Sequence, residues 1–257
     1  MGYIMTKNEF LNLRDQQLTF SQIGALFGLT ERQVSYRSKA WGLDYSKKKS
    51  VNEDFFSLMD KATYYWAGFL AADGWVEGER SRVGLALQKG DIGHLEKFKA
   101  ATESSHNICP FMSNTAVRIR FNSEKMCNDL ATRFNIIPAK TMVYSMPYIE
   151  EDYLLLEFLR GYIEGDGNLW KTASGRVALS LCSANKSFLV EVKDIFELFI
   201  GRTIHQDIVL QVNPKGQVYA IRFSLDDSAE LLRLLYKNST EATRLDRKYA
   251  IASLVLR

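Results

Sequence analysis

Trp66-Ala67-Gly68-Phe69-Leu70-Ala71-Ala72-Asp73-Gly74 is answered further along the chain by Leu159-Arg160-Gly161-Tyr162-Ile163-Glu164-Gly165-Asp166-Gly167. Gly68 and Ala72 stand four apart, as do Gly161 and Gly165, so each pair shares one face of a helix. Small residues at that spacing let two helix backbones approach closely. Gly74 and Gly167 are the residue type that fits a left-handed helix end. Asp73 and Asp166 then sit at helix C-termini, where the dipole already amounts to about −0.5 of a charge. If the two helices pair in parallel, two carboxylates and two negative ends converge, an arrangement that repels itself unless a cation is placed there. Carboxylates and main-chain carbonyls are hard oxygen ligands suited to Mg²⁺. Metals at such a point activate water and stabilise the leaving oxygen in phosphodiester hydrolysis. One Asp-Gly pair is a common turn; two in matching surroundings point to a site.

The surroundings do match. Arg82-Val83-Gly84-Leu85-Ala86-Leu87 is answered by Arg176-Val177-Ala178-Leu179-Ser180-Leu181, and Val117-Arg118-Ile119-Arg120-Phe121 by Tyr219-Ala220-Ile221-Arg222-Phe223. These stretches alternate with the period of a strand. Helical stretches are expected at His94–Ser104 and Glu124–Phe134, and in the second copy at Phe188–Ile200 and Ser228–Tyr236. Each copy therefore reads helix, two strands, helix, two strands, helix. The expected fold is α+β, two pseudo-symmetric αββαββα repeats over 50–153 and 154–257, each sheet keeping one face free of core packing. Strand parity buries Val117, Ile119 and Phe121 and puts Arg118 and Arg120 on the other face; Arg222 between Ile221 and Phe223 repeats the arrangement.

These motifs resemble those of the LAGLIDADG homing endonuclease family, of the single-chain kind with two motifs, over about residues 62–257. The resemblance implies that each motif helix lies between the two halves. It implies that Asp73 and Asp166 bind catalytic divalent metals, Mg²⁺ or Mn²⁺, with the carbonyls of Ala72 and Gly165 beside them. Basic residues near the metals would be Lys140, in Pro138-Ala139-Lys140-Thr141, and Lys248, in Arg247-Lys248-Tyr249. The two sheets would form a saddle over DNA, presenting Arg82, Gln88, Arg118, Arg120, Arg176, Ser180, Gln211 and Arg222. The sixth motif position differs, Ala71 against Glu164, at a place that varies in such proteins. The implied activity is site-specific double-strand cleavage of DNA; the alternatives are a DNA-binding regulator without cutting and an intron RNA maturase.

Upstream of the repeats, Ser21–Phe27, a turn at Gly28-Leu29-Thr30 and Glu31–Ala40 read as a helix-turn-helix over residues 1–49. Thr30 and Gln33 form a capping box. Ile23, Leu26 and Phe27 are expected to face Val34 and Trp41. Arg32, Gln33, Ser35, Tyr36, Arg37, Ser38 and Lys39 are expected outward, as a set suited to base edges and phosphates. Residues 1–49 carry a net charge of +4 against +3 for the whole chain, so a basic head precedes a near-neutral body, the distribution of a protein that meets a polyanion. Ser46-Lys47-Lys48-Lys49-Ser50 reads as the linker.

The remaining composition excludes other classes. Cys109, Cys127 and Cys182 are an odd number without metal-ligand spacing, which suits a reducing cytoplasm. No apolar run approaches the length of a membrane span and no signal pattern opens the chain. His94, His106 and His205 are too few and scattered for a His-metal nuclease and read as surface or helix residues. Tyr64-Tyr65-Trp66 reads as core. There is no phosphate-cradling Gly loop. A monomer acting on double-stranded DNA is the expected form.

Overall fold

The computed structural model describes residues 5–16, 18–43, 49–213 and 216–256. The chain divides into two compact units, Met1–Lys49 and Ser50–Arg257. Most of the expected linker, residues 46–48, lies outside the described residues.

The first unit holds three helices, α1 (Lys7–Asp15), α2 (Phe20–Phe27) and α3 (Glu31–Ala40). Each starts on a threonine, Thr6, Thr19 or Thr30, whose hydroxyl accepts from the third residue on, while Glu9, Gln22 or Gln33 reaches back to the cap. Three reciprocal capping boxes in so short a stretch satisfy the helix-start amides locally. Gly28 closes α2 in the left-handed region at φ 65°, and a Cβ on Gly24 would overlap the carbonyl oxygen of Leu29, so the turn into α3 needs both glycines. Met5, Phe10, Ile23 and Val34 make the core, ringed by Phe20, Phe27, Leu29 and Trp41 among others. Two expectations fail here. Leu26 falls off the Phe20–Ile23–Phe27 stripe and is 62% exposed. Ser38, one turn beyond Val34, shares its buried face and donates to the carbonyl of Ser35.

The second unit is α+β, built from two copies of one plan. The first copy runs α4 (Lys61–Asp73), β1 (Gly74–Glu77), β2 (Arg82–Gln88), α5 (Ile92–Ala101), β3 (Cys109–Phe111), β4 (Ala116–Asn122) and α6 (Glu124–Phe134). The second runs α7 (Asp152–Asp166), β5 (Asn168–Lys171), β6 (Val177–Ser183), α8 (Lys186–Ile200), β7 (Val209–Asn213), β8 (Gly216–Arg222) and α9 (Leu225–Tyr236), followed by α10 (Asp246–Ala252). Each copy forms one antiparallel sheet, in the order β1-β2-β4-β3 and β5-β6-β8-β7.

Alternation decides which sheet face is buried. Val83, Leu85, Leu87, Val117, Ile119 and Phe121 are in the core, as are Leu179, Leu181, Ile221 and Phe223. Helices α5, α6, α8 and α9 bring Phe98, Leu130, Phe196 and Leu231 against those faces. Tyr64, Tyr65 and Trp66 are core residues too.

Strand register corrects one pairing of the repeats. Val83 and Leu85 stand opposite Phe121 and Ile119, while in the second sheet Leu181 stands opposite Ile221 and Leu179 bonds Phe223. The counterpart of Val83 is therefore Leu179, not Val177. The hairpin after β5 is longer, and the slip of two residues leaves strand parity intact.

Candidate active site and nucleic-acid interface

The site is built where α4 and α7 cross. A Cβ on Gly68 would overlap the carbonyl oxygen of Phe158, and one on Gly161 would overlap that of Tyr65. The contact is reciprocal, glycine of one helix on carbonyl of the other. Further along, a Cβ on Gly165 would overlap that of Ala72 and stand 3.5 Å from the Asp73 carboxylate. The helices therefore run parallel and bring their C-terminal acids together. Gly74 and Gly167 do not adopt the left-handed end expected of them: both are extended, at φ −86° and −70°. Their role is spatial, since a Cβ would strike Leu70 or Ile163 one turn back. The chain leaves each helix directly into β1 or β5.

Both acid side chains open onto solvent, yet both are perturbed. Burial among the surrounding atoms, then the charge of Asp166, pushes the Asp73 carboxyl up to about 6, against the pull of Lys248, Arg247 and Lys140. Burial also raises Asp166, but Lys248 and a hydrogen bond from the Tyr162 hydroxyl hold it back. The residue matching Tyr162 in α4 is Phe69, so Asp73 lacks that donor.

Lys140 and Lys248 lie beside the acids and are buried. The Lys140 ammonium donates to the carbonyl of Gly74 at 2.6 Å. Lys248 donates to the carbonyls of Ile163 (3.0 Å), Gly165 (2.8 Å) and Gly167 (2.5 Å). Each cation thus caps the negative end of the motif helix in its own half. Burial lowers both ammonium groups, Lys248 to about 8, with Arg247 adding to the effect. The Gly165 carbonyl expected beside a metal already accepts from Lys248, though a carbonyl has two lone pairs.

Among the described residues no group of three or more His, Cys, Asp or Glu could hold a metal. Two converging carboxylates with carbonyls nearby fit Mg²⁺, which is held by one or two carboxylates and completes its shell with water and substrate phosphate oxygens.

Beneath the acids lies a polar network that reading along the chain did not find. Glu164 is fully buried. It accepts from the hydroxyls of Tyr65 and Tyr236 (2.6 Å) and from the amide of Leu245 (2.8 Å). Tyr65 also meets Nε2 of His94 at 3.0 Å. Arg160 donates to Glu157 and Thr243 and lies over the Tyr65 ring at 4.4 Å. His94 is on a helix as expected, but buried, and burial followed by Lys97 lowers it to about 3, which keeps the ring neutral. The one available signal was the spacing of Glu157, Arg160 and Glu164, three charges on one turn-related face of an apolar helix.

The open sheet faces carry most of the expected strand residues. Trp75, Gly84 and Arg120 form one cross-strand row, and Gly84 is required because the Trp75 indole lies where a Cβ would be. The matching row is Asn168, Ser180 and Arg222. Arg120 is exposed; Arg222 lies over Trp170 at 4.8 Å and Arg118 over Phe111 at 4.4 Å. Asn168, Trp170, Ser180, Gln211 and Arg222 line a cavity of about 600 Å³ on the second face. Gln88 is exposed at the end of β2. Two arginines are already engaged: Arg82 with Glu77 (3.2 Å) and Asn122 (2.9 Å), and Arg176 with Asp226 at the start of α9. Arg176 precedes β6 and borders a cavity on the helical side with Leu225 and Arg233, so it leaves the open face.

In the first unit, Arg32, Gln33, Tyr36 and Arg37 border a groove of about 340 Å³. Tyr36 is 77% exposed, Lys39 is exposed and Ser35 partly so. The Gln33 carbonyl is committed to the cap on Thr30, which leaves its amide as donor.

Residues 154–247 match the model of the LAGLIDADG-like domain. The stretch matched is the second copy of the repeated plan and includes Asp166, Glu164 and the start of α10. No curated protein matches the sequence. Among solved structures, the chain is similar to the I-LtrWI LAGLIDADG homing endonuclease bound to target DNA, at 11% identity and a TM-score of 0.44, covering 80% of this chain and 90% of that one. It is also similar to full-length DUF199/WhiA from Thermatoga maritima, at 13% identity and a TM-score of 0.48, covering 79% of this chain and 64% of that one. A third likeness is to a variant of I-DmoI in complex with its target DNA in the presence of manganese, at 19% identity and a TM-score of 0.47, covering 76% and 99%. No helix among the described residues is long and apolar enough to cross a membrane.

Proposed function

We propose that this protein is a DNA endonuclease that cuts both strands of a duplex by divalent-metal-dependent phosphodiester hydrolysis, one strand at each motif acid. The observation that carries the reading is the convergence of Asp73 and Asp166 at two parallel helix ends held together by glycines. An assembly that only bound DNA would gain nothing from two carboxylates forced to share a point.

Asp73 and Asp166 would hold Mg²⁺ or Mn²⁺, with the carbonyls of Ala72 and Gly165 beside them; the metal supplies activation of water and neutralisation of the leaving oxygen. The carboxylates orient that shell by where the helices end. Lys140 and Lys248 hold positive charge against the developing charge on the phosphate oxygens. The open faces bearing Arg118, Arg120, Ser180, Gln211 and Arg222 are proposed to lie along the duplex. The three-helix unit is proposed as a helix-turn-helix that adds phosphate and base contacts through Arg32, Arg37 and Lys39.

The test is cleavage of a randomised duplex library in Mg²⁺ with a chelator control. Recovery of cut molecules sharing one site, abolished by the chelator, supports the reading. Retention of a preferred sequence with no cut in Mg²⁺ or Mn²⁺ would replace it by the second reading, a DNA-binding protein without cutting, which the basic three-helix unit favours.

Two results are expected from the interface. Arg120→Ala and Arg222→Ala should leave the melting temperature nearly unchanged, as exposed positions do, and relax discrimination at one half-site each by about 1–3 kcal/mol where the side chain is bidentate to a base. Ile119→Ala and Ile221→Ala should do the opposite, each lowering stability by about 2–5 kcal/mol through a core cavity. Thermal melts and binding titrations on the four variants decide it; the reverse pattern would mean that the faces are inverted.

Removal of residues 1–49 should weaken DNA affinity and flatten its salt dependence, by roughly 0.9 of a log–log unit for each phosphate that the unit had neutralised. An unchanged slope would show that this unit does not touch DNA.

A further inference from the structure

The segments that carry the lysines at the acids are contacted from the opposite half of the molecule. Asp91 is the residue before α5 in the first half, and its carboxylate takes the Arg247 guanidinium Nε at 2.9 and 3.1 Å. Six residues on, the Lys97 ammonium donates to the carbonyl of Arg244 at 2.8 Å and to the Asp246 carboxylate at 2.6 Å. All three partners lie within four residues of Lys248. In the second half, Asn185 caps α8, and its amide donates to the carbonyl of Tyr144 at 2.8 Å. Six residues on, the Glu191 carboxylate accepts from the amide of Met146 at 2.9 Å. Both partners lie within six residues of Lys140.

The same two helix positions, the cap and the sixth residue after it, therefore reach across the pseudo-twofold axis in both directions. The chemistry is inverted between them, Lys97 in one half and Glu191 in the other, while the reach is the same. Positions that keep a crossing interaction while exchanging charge are constrained by the segment they hold rather than by local pairing.

We propose that Lys97 and Glu191 are positioning residues acting crosswise: Lys97 of the first half sets Lys248 on the end of α7, and Glu191 of the second half sets Lys140 on the end of α4. Each cleavage centre thus depends on a brace from the other half. The inference rests on the endonuclease reading only for its effect on cutting; the bracing is testable without it.

The first measurement needs no DNA. Full-length protein is treated with a soluble acetylating ester, and modification of each lysine is followed by mass spectrometry. In Lys97→Met, acetylation of Lys248 should accelerate severalfold while Lys140 is unchanged; in Glu191→Met, which removes the acceptor for the Met146 amide, Lys140 should accelerate while Lys248 is unchanged. Equal acceleration of both lysines, no acceleration, or acceleration of the lysine in the same half overturns the proposal. The second measurement uses a plasmid carrying a site recovered from the library, with strand-specific end labels. Lys248→Met and Lys140→Met define which strand each centre serves. Lys97→Met should slow the strand that Lys248→Met slows, and Glu191→Met the other, each by about tenfold, inside the ~10²-fold that an ångström of misplacement can cost. The two strands slowing alike in both variants would overturn it, because a general drop in stability has no strand preference. If no DNA is cut at all, the endonuclease reading fails and the acetylation pattern still decides the bracing.

Discussion

Asp73→Asn and Asp166→Asn are each expected to lower double-strand cleavage in Mg²⁺ by at least about 10³-fold, since a metal-bound centre supplies several kcal/mol of charge stabilisation. DNA affinity should stay near that of the parent, because neither acid stands on the open sheet faces. The same substitutions should raise the melting temperature of the metal-free protein, and the pH dependence of that gain is fixed in sign. The Asp73 carboxyl is raised in the folded state to about 6, above its unfolded value near 4. The folded state therefore binds the proton more tightly. The penalty of holding this carboxylate ionised is fully present above about pH 6 and fades as the pH falls towards 4. Asp73→Asn removes the penalty, so its gain in melting temperature should be largest at neutral pH and vanish near pH 4. On the proposed reading, cleavage by the parent at limiting Mg²⁺ should fall as the pH drops through about 6, where Asp73 takes a proton and would no longer serve as a ligand. Undiminished cutting by both variants would remove the acids from the chemistry, and a melting gain independent of pH would show that the carboxylates do not repel.

Gly68→Ala and Gly161→Ala are expected to cost more than about 3 kcal/mol each, beyond the 1–3 kcal/mol usual for an overfilled core. A single methyl group is added, but it meets a main-chain carbonyl of the facing helix, Phe158 or Tyr65, which cannot rotate away. The helices must separate, and the separation reaches the acids one and a half turns further on. Urea midpoints measure the drop. Gly93→Ala is the control: its Cβ would meet nothing, and inside α5 it should stabilise by up to about 1 kcal/mol. Parental stability in Gly68→Ala would mean that the helix axes stand further apart than the seating of Gly68 on the Phe158 carbonyl requires.

The small-residue spacing, the paired acids and the strand alternation were legible because each is a local period: four for the glycines, two for Val117, Ile119 and Phe121. The hairpin register was not, because a slip of two residues keeps every side chain on its face, so Val177 and Leu179 are equally good partners for Val83 by pattern. Glycine type revealed that Gly74 and Gly167 were special but not why: tight space against Leu70 and Ile163 and a left-handed turn demand the same residue. The network around Glu164 was hidden for a different reason. Its members Tyr65, His94, Tyr236 and Leu245 stand on four different segments, and no helix or strand period relates them to one another. Arg176 was placed by analogy with Arg82, and the longer hairpin moved it to the helical side.

The reciprocal seating of glycine on carbonyl, Gly68 on Phe158 and Gly161 on Tyr65, is the self-complementary arrangement of an isologous dimer, in which residue i meets j and j meets i. Here one covalent chain supplies both partners, so the connection between them works as a tether and association becomes intramolecular, at a high effective concentration. Two identical chains would be bound to carry the same residue at each equivalent place. A single chain is released from that rule. It can bury Glu164 where its other helix has Ala71, set Tyr162 against Phe69, and face Asn168 and Ser180 on one sheet while Trp75 lies over Gly84 on the other. The backbone keeps its twofold relation while its two open faces need not match.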